Sequence, residues 1–391
     1  MIGPIRKFIT PTIIFALSFF VFFISHLHHP DWYKHFVYLA QAFLEGKADL
    51  SGLPGYYHDI IFYEGKTYLP NPPLPAVILM PFVAIWGEST NQVRVCMLIA
   101  SLNVVLAWVL IGRIGIKGTM RALLTVLFGF GTVHYSAAIL GTTWFFSHIV
   151  AVFFLLLCLA EFFGKRRPLL MGLFLGFSFL SRSPVILGAP FFLGAFFFKK
   201  KDLGDFWKNL ILFSLGAAIP LGFQLYYNFI RFHNPLESGY LLQNYYSSVQ
   251  APAIEKYGFF NIRYIPQHLY ILFLKTPDYI GKFPFFKPSP WGMSILLTTP
   301  AVIYALKAPI RDKVNIFAWV AILLISFPSL IYTATGWVQF GYRYSLDFIP
   351  FLLILTASGM GNRITLGKVS LIILSVIVNI WGVYWSVKLG W

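Results

Sequence analysis

The sequence predicts an all-α polytopic membrane protein: a bundle of about eleven membrane-crossing helices, with further helices lying on its outer surface. Three observations carry this. Of 391 residues, 58% are hydrophobic and only 11% charged, where a soluble domain has about 25% charged. Uncharged apolar runs of roughly the 20 residues needed to cross a bilayer recur from end to end. The formal charge of +16 is concentrated in short loops between those runs.

The first run, 8–27, is too long for a cleaved leader, and its exit is too rich in histidine and aromatic residues. It reads as a retained span. Further spans are expected at 93–112, 121–140, 143–163, 168–181, 184–198, 209–230, 291–306, 314–334, 347–361 and 369–388. The pair 168–181 and 184–198 are short and meet at Ser181-Arg182-Ser183-Pro184, as a helical hairpin with an outward tip.

Two longer segments separate the spans, at 28–92 and 231–290, and the whole chain reads as one integral-membrane domain, 1–391, with no separate soluble domain. In the first segment Trp32, Phe36, Leu39, Ala40 and Phe43 have helical spacing, with Gly46 as a stop and Lys34, Gln41 and Glu45 on the polar face. This predicts a juxtamembrane surface helix. An extended stretch follows, with a turn at Glu64-Gly65. Residues 74–87 then form a helix too short to span, interfacial or re-entrant. The second segment, rich in Tyr, Phe and Pro, is expected to lie against the outer surface and cover a cavity.

Arg6-Lys7, Arg113/Lys117/Arg121, Lys165-Arg166-Arg167, Lys199-Lys200-Lys201/Lys208, Lys307/Arg311/Lys313 and Arg363/Lys368 fall on one side if the spans alternate. That side is cytoplasmic by the positive-inside rule. The N-terminus is then inside and the C-terminus outside, in a plasma (inner) membrane, and both long segments are extracytoplasmic. The basic excess reflects topology and anionic membrane lipid, and no nucleic-acid partner is implied. Cys96 and Cys158 lie in spans without metal-type spacing.

Candidate chemistry therefore sits outside. Asp31 follows the first span at the membrane boundary. It can cap the helix beginning at Trp32 or Tyr33, act as a base whose pKa is raised by desolvation, or do both. Asp59 lies in Tyr56-Tyr57-His58-Asp59 beside Lys66 and Tyr68 and reads as a second functional acid or a solvated loop carboxylate. Arg182 at the hairpin tip would be costly to bury unpaired, so it either holds a phosphate or reaches the headgroups. Arg343 has Asp347 one helical turn later as a possible ion-pair partner. His35, His58 and His148, with Lys66 and Tyr68, are candidates to line a cavity. His/Asp sets are compatible with a divalent cation, but no ligand spacing is present. No cofactor is called for: Asp-x-Asp, phosphate-loop and Gly-x-Ser-x-Gly elements are all missing.

In this order the pieces resemble the GT-C glycosyltransferases, in particular the protein O-mannosyltransferase and aminoarabinose-transferase branch. The likeness rests on Asp31 followed by Leu39-Ala40-Gln41-Ala42-Phe43-Leu44-Glu45-Gly46; on the stretch from Gly65 to Gly87 with its Asn71-Pro72-Pro73-Leu74; on the span from Val93 to Arg113; on the short hairpin tipped by Arg182; and on Tyr342-Arg343-Tyr344 before a late span. The family's Asp-Glu pair is Asp31-Trp32 here, its Lys-Pro-Pro lysine is Asn71, and its hairpin lysine is Arg182. The sequence ends soon after its last span, where the family continues into an extracytoplasmic domain. The resemblance implies a polyprenyl-phosphate-linked monosaccharide donor and inversion at the anomeric carbon. Asp31 would be the base, and Arg182 and Arg343 would hold the leaving phosphate. The acceptor (lipid, glycan or protein) is open. A transporter or flippase for an anionic lipid-linked glycan, or a non-catalytic membrane partner with a vestigial site, are the alternatives; missing inverted repeats speak against the transporter.

Overall fold

The computed structural model describes residues 3–27, 33–50, 52–199, 203–243, 245 and 248–391. Helix α1 (Gly3–His26) leads to α2 (His35–Leu44), the strands β1 (Ile61–Tyr63) and β2 (Lys66–Tyr68), and α3 (Leu74–Trp86). Four helices follow: α4 (Gln92–Arg113), α5 (Gly118–Phe130), α6 (His134–Leu140) and α7 (Thr143–Phe162). Next come α8 (Pro168–Phe179), a 3-10 turn at Ser183–Gly188, α9 (Ala189–Lys199) and α10 (Leu203–Phe232). The second long segment holds α11 (Ala251–Tyr257), α12 (Ile265–Phe273) and the hairpin of β3 (Asp278–Tyr279) with β4 (Phe286–Lys287). The chain closes with α13 (Ile295–Thr298), a 3-10 helix Pro300–Lys307, α14 (Lys313–Leu330), a 3-10 helix Arg343–Asp347, α15 (Ile349–Met360) and α16 (Leu366–Leu389).

Among the described residues six helices are long and apolar enough to cross a membrane: α1, α4, α7, α10, α14 and α16. The chain is a multi-pass membrane protein. The expected span 121–140 is the pair α5 and α6, bent by 47°. At the bend the Thr132 hydroxyl donates to the Phe128 carbonyl (2.8 Å) and also accepts from the His134 amide (3.2 Å), so local side-chain bonds replace the helical ladder. The expected span 291–306 is likewise two short pieces. Thr299, at φ −142°, ends α13, and Pro300, which has no amide hydrogen, starts the 3-10 helix. The expected surface helix is α2, which is more enclosed than predicted: Phe36, Val37, Tyr38, Leu39 and Ala40 are all buried. It packs beside α3.

Helices α8 and α10 approach through small residues. A Cβ on Gly172 would overlap the Phe213 carbonyl oxygen, and one on Gly216 the Leu169 carbonyl oxygen. Backbones meet this closely in membranes only where side chains are absent. At the end of α10 the buried Arg231 donates to the Leu69 carbonyl (2.8 Å) and to Asn228 Oδ1 (2.9 Å), between the rings of Tyr227 and Phe232. The first long segment is thereby tied to the bundle.

Basic loops gather at one end. The Lys117 amide donates to Asn362 Oδ1 (2.8 Å), the Asn362 side chain donates to the Gly115 carbonyl (3.1 Å), and Glu161 takes two bonds from the Arg167 guanidinium (2.9 Å each). The other end carries the site.

Candidate active site

A cavity of about 460 Å³ opens at that second end. Its walls come from Tyr33, from the His58–Asp59 turn, from the start of α7 with Thr142, Trp144 and Phe145, from Trp337 and Arg343, and from the end of α16 through Trp391. Three predicted residues, His58, Asp59 and Arg343, thus face one space. Asp59 sits in the left-handed region at φ 58°, which turns its side chain toward α7. There the Trp144 indole donates to Asp59 Oδ2 (2.9 Å) and fixes the carboxylate plane. Arg343 opens the 3-10 helix before α15. Its amide donates to Oε1 of the buried Gln339 (3.1 Å), whose Nε2 donates to the carbonyls of Trp291 (3.0 Å) and Thr335 (2.9 Å). The guanidinium lies over Trp144, Phe145 and Tyr344, at 6.0, 5.7 and 5.6 Å from their ring centroids. A half-buried guanidinium on aromatic walls suits an anion presented from an apolar milieu.

His35 lies behind this wall and lines no cavity. It is fully buried at the start of α2, with Nδ1 2.8 Å from the Thr143 hydroxyl and Nε2 2.9 Å from the His58 carbonyl. A carbonyl only accepts, so Nε2 carries a proton; the Thr143 hydroxyl donates to the Tyr33 carbonyl (2.7 Å) and accepts from the His35 amide (3.1 Å). The Tyr33 carbonyl also accepts from the Thr143 amide at 3.0 Å. Burial pushes the His35 pKa down to about 4, against smaller opposing bonds, so the ring is neutral at pH 7. It positions His58, and through it the Asp59 turn.

Arg182 and His148 meet one turn deeper, on Asp347. Arg182 donates to Asp347 through Nη2 (2.8 Å to Oδ2) and Nε (3.1 Å to Oδ1), and His148 Nδ1 donates to Oδ1 at 2.8 Å. His148 and Asp347 are buried and Arg182 nearly so. The expected pairing of Asp347 with Arg343 is therefore corrected: Asp347 pairs with Arg182. The reason is the 3-10 geometry of Arg343–Asp347. At three residues per turn, positions four apart point about 120° away from each other, where an α-helix would align them. Both arginines still flank one ring, since the Arg182 guanidinium is 5.5 Å from the Tyr344 centroid.

Lys66 and Tyr68 stand apart from this cavity. Lys66 is exposed on β2 with Asp49 3.8 Å away, and Tyr68 is buried against Phe232. Asp31 lies outside the described residues, as do His28 and His29. Among the described residues no three His, Cys, Asp or Glu side chains converge where a metal ion could be held. Trp144, Gln339 and Trp337 were not singled out from sequence. Trp144 had a usable signal: an aromatic at the outer entry of a span, directly after two threonines.

No family model matches the sequence, and no curated protein matches it. Solved structures do. ArnT from Cupriavidus metallidurans, bound to undecaprenyl phosphate, is similar over 90% of this chain and 60% of its own, with TM-score 0.53 and 15% identity. The oligosaccharyltransferase of Archaeoglobus fulgidus, in the apo form, is similar over 97% of this chain and 56% of its own, with TM-score 0.53 and 10% identity. The chain spans less than two thirds of the length of either. Over that length it has the fold of the GT-C glycosyltransferases.

Proposed function

We propose that the protein is a membrane glycosyltransferase that moves a monosaccharide from a polyprenyl-phosphate donor to an acceptor hydroxyl on the extracytoplasmic face. The observation that carries this is the placement of Asp59 and Arg343 in one aromatic cavity, at the end of the bundle opposite the basic loops. The likeness to a structure bound to undecaprenyl phosphate supports the donor class.

In this reading the lipid phosphate enters from the membrane side and is held by Arg343. Arg182 stands behind it, paired with Asp347, and supplies a fixed positive edge beside Tyr344. A carboxylate takes the proton of the attacking hydroxyl. Asp59 is the carboxylate lining the cavity among the described residues, and the resemblance assigns the same role to Asp31. Attack from the face opposite the phosphate inverts the anomeric carbon. Stabilisation of the departing phosphate by a preorganised guanidinium supplies a main part of the rate.

Transfer from radiolabelled polyprenyl-phosphate sugars in proteoliposomes tests the proposal. Arg343→Ala is expected to abolish binding of undecaprenyl phosphate, and Arg343→Lys to restore part of it, because an ammonium keeps the charge and loses the planar fork. Movement of labelled lipid across the bilayer with no new glycosidic bond would establish a transporter instead.

A further inference from the structure

A second cavity, of about 490 Å³, lies against the first and shares His58 and Asp59 with it. We propose that this second cavity is the acceptor subsite, and that it takes an uncharged hydroxyl of a water-borne carbohydrate. The proposal rests on reading the first cavity as the donor site.

The two cavities differ in what builds them. The first draws on α7 and the end of α16, both long enough to cross the membrane, which suits a donor delivered from the membrane. The second is lined wholly by the first outer segment, between Leu50 and Thr67, with no residue of a membrane-crossing helix. Its contents come from water. Apart from His58 and Asp59 none of its lining residues carries a charge. Lys66 is turned to Asp49 and does not line it. A phosphorylated or carboxylated acceptor would meet no counter-charge there. What the wall offers is the Phe62 ring, 65% exposed, with Tyr57 and the backbone of residues 52–60. Flat rings beside small hydrogen-bonding groups suit the apolar face and hydroxyls of a sugar. Gly55 has open space where a Cβ would stand, so the loop leaves room.

The shared residue is the chemically useful one. An acceptor hydroxyl in the second cavity gives its proton to the Asp59 carboxylate while its oxygen forms the new bond to the anomeric carbon. The bond from that carbon to the phosphate oxygen breaks, and its electron pair leaves on the phosphate. Asp59 lines both spaces, and the Trp144 indole holds its carboxylate in place between the two reactants.

Thr67 lines the second cavity and takes no part in the chemistry, and the native thiols of Cys96 and Cys158 are both buried. Thr67→Cys therefore gives one reactive site for a membrane-impermeant maleimide. Uncharged hexose and pentose oligosaccharides, tried singly, are the probes. At least one is expected to slow labelling about tenfold, while undecaprenyl phosphate leaves the rate unchanged. The labelled protein should bind undecaprenyl phosphate as before and lose transfer. Protection by undecaprenyl phosphate, by acidic oligosaccharides or by serine-containing peptides in place of the neutral sugars would overturn the proposal, as would labelling that no sugar slows or a labelled protein with full transfer. Oligosaccharide protection in a protein that binds no undecaprenyl phosphate would leave the subsite standing and remove the donor reading instead.

Discussion

At the scale of single residues, Asp59 and His35 do different work in one wall. If Asp59 is the base, Asp59→Asn keeps the shape and its bond to Trp144 but cannot take a proton. Turnover should fall roughly 10²–10⁴-fold, the range general-base catalysis supplies, with binding of undecaprenyl phosphate unchanged. Comparison with Asp31→Asn in the same transfer assay separates the two carboxylates: full activity of Asp59→Asn with loss in Asp31→Asn would move the base to Asp31. His35 makes a prediction about pH. Its pKa is about 4 in the folded protein and about 6.5 in the unfolded chain. Below 6.5 the unfolded chain binds the extra proton, so stability should fall from pH 6.5 toward 4 and be flat above 6.5. Thermal unfolding in detergent at several pH values measures this slope, and His35→Gln should remove its share. The His58–Asp59 pair was legible from sequence because ionisable groups cluster in an otherwise apolar chain. The inward turn of His35 was not, because its partners, Thr143 on α7 and the His58 carbonyl in the loop before β1, are brought to it only by tertiary packing.

At the scale of elements, the hairpin between α8 and α9 is fixed by charge at its tip and by glycine along its side. Asp347→Asn leaves Arg182 nearly buried without its counter-charge. Breaking such a pair costs about 3–5 kcal/mol, which a lowered unfolding temperature would register. Arg182→Met combined with Asp347→Leu should recover most of that loss and still lack transfer if the pair serves the site. Equal loss in the double variant would mean the ion pair itself holds the fold. The Gly172–Gly216 approach makes a second test. Gly172→Leu should force α8 from α10 and lower expression and unfolding temperature, whereas Gly222→Leu on the same α10, with open space at its Cβ, should be tolerated. The long helices were readable as apolar runs with basic ends. The partner of Asp347 was not, because Arg343-Tyr344-Ser345-Leu346-Asp347 carries no mark that distinguishes a 3-10 helix from the α-turn that would have aligned its two charges.

At the scale of the whole molecule, function depends on which end of the bundle faces out. The loops holding Arg113, Lys117 and Asn362 are tied together and to the end of α7 at one end, and Asp59, Arg343 and Trp391 meet at the other. A polyprenyl chain can deliver a sugar to the second end only if that end lies in the leaflet holding the loaded lipid. In the proposed orientation, with the basic loops in the cytoplasm as the positive-inside rule expects, Asp59 and Arg343 would face outward. Glu64→Cys, exposed on the β1–β2 turn, should then react with an impermeant maleimide in intact cells. Lys117→Cys, exposed at the basic end, should react only after the membrane is opened. The buried Cys96 and Cys158 leave the background low. The reverse pattern would place the cavity in the cytoplasm, where the acceptor cavity would open to cytoplasmic sugars and the extracytoplasmic reaction could not occur.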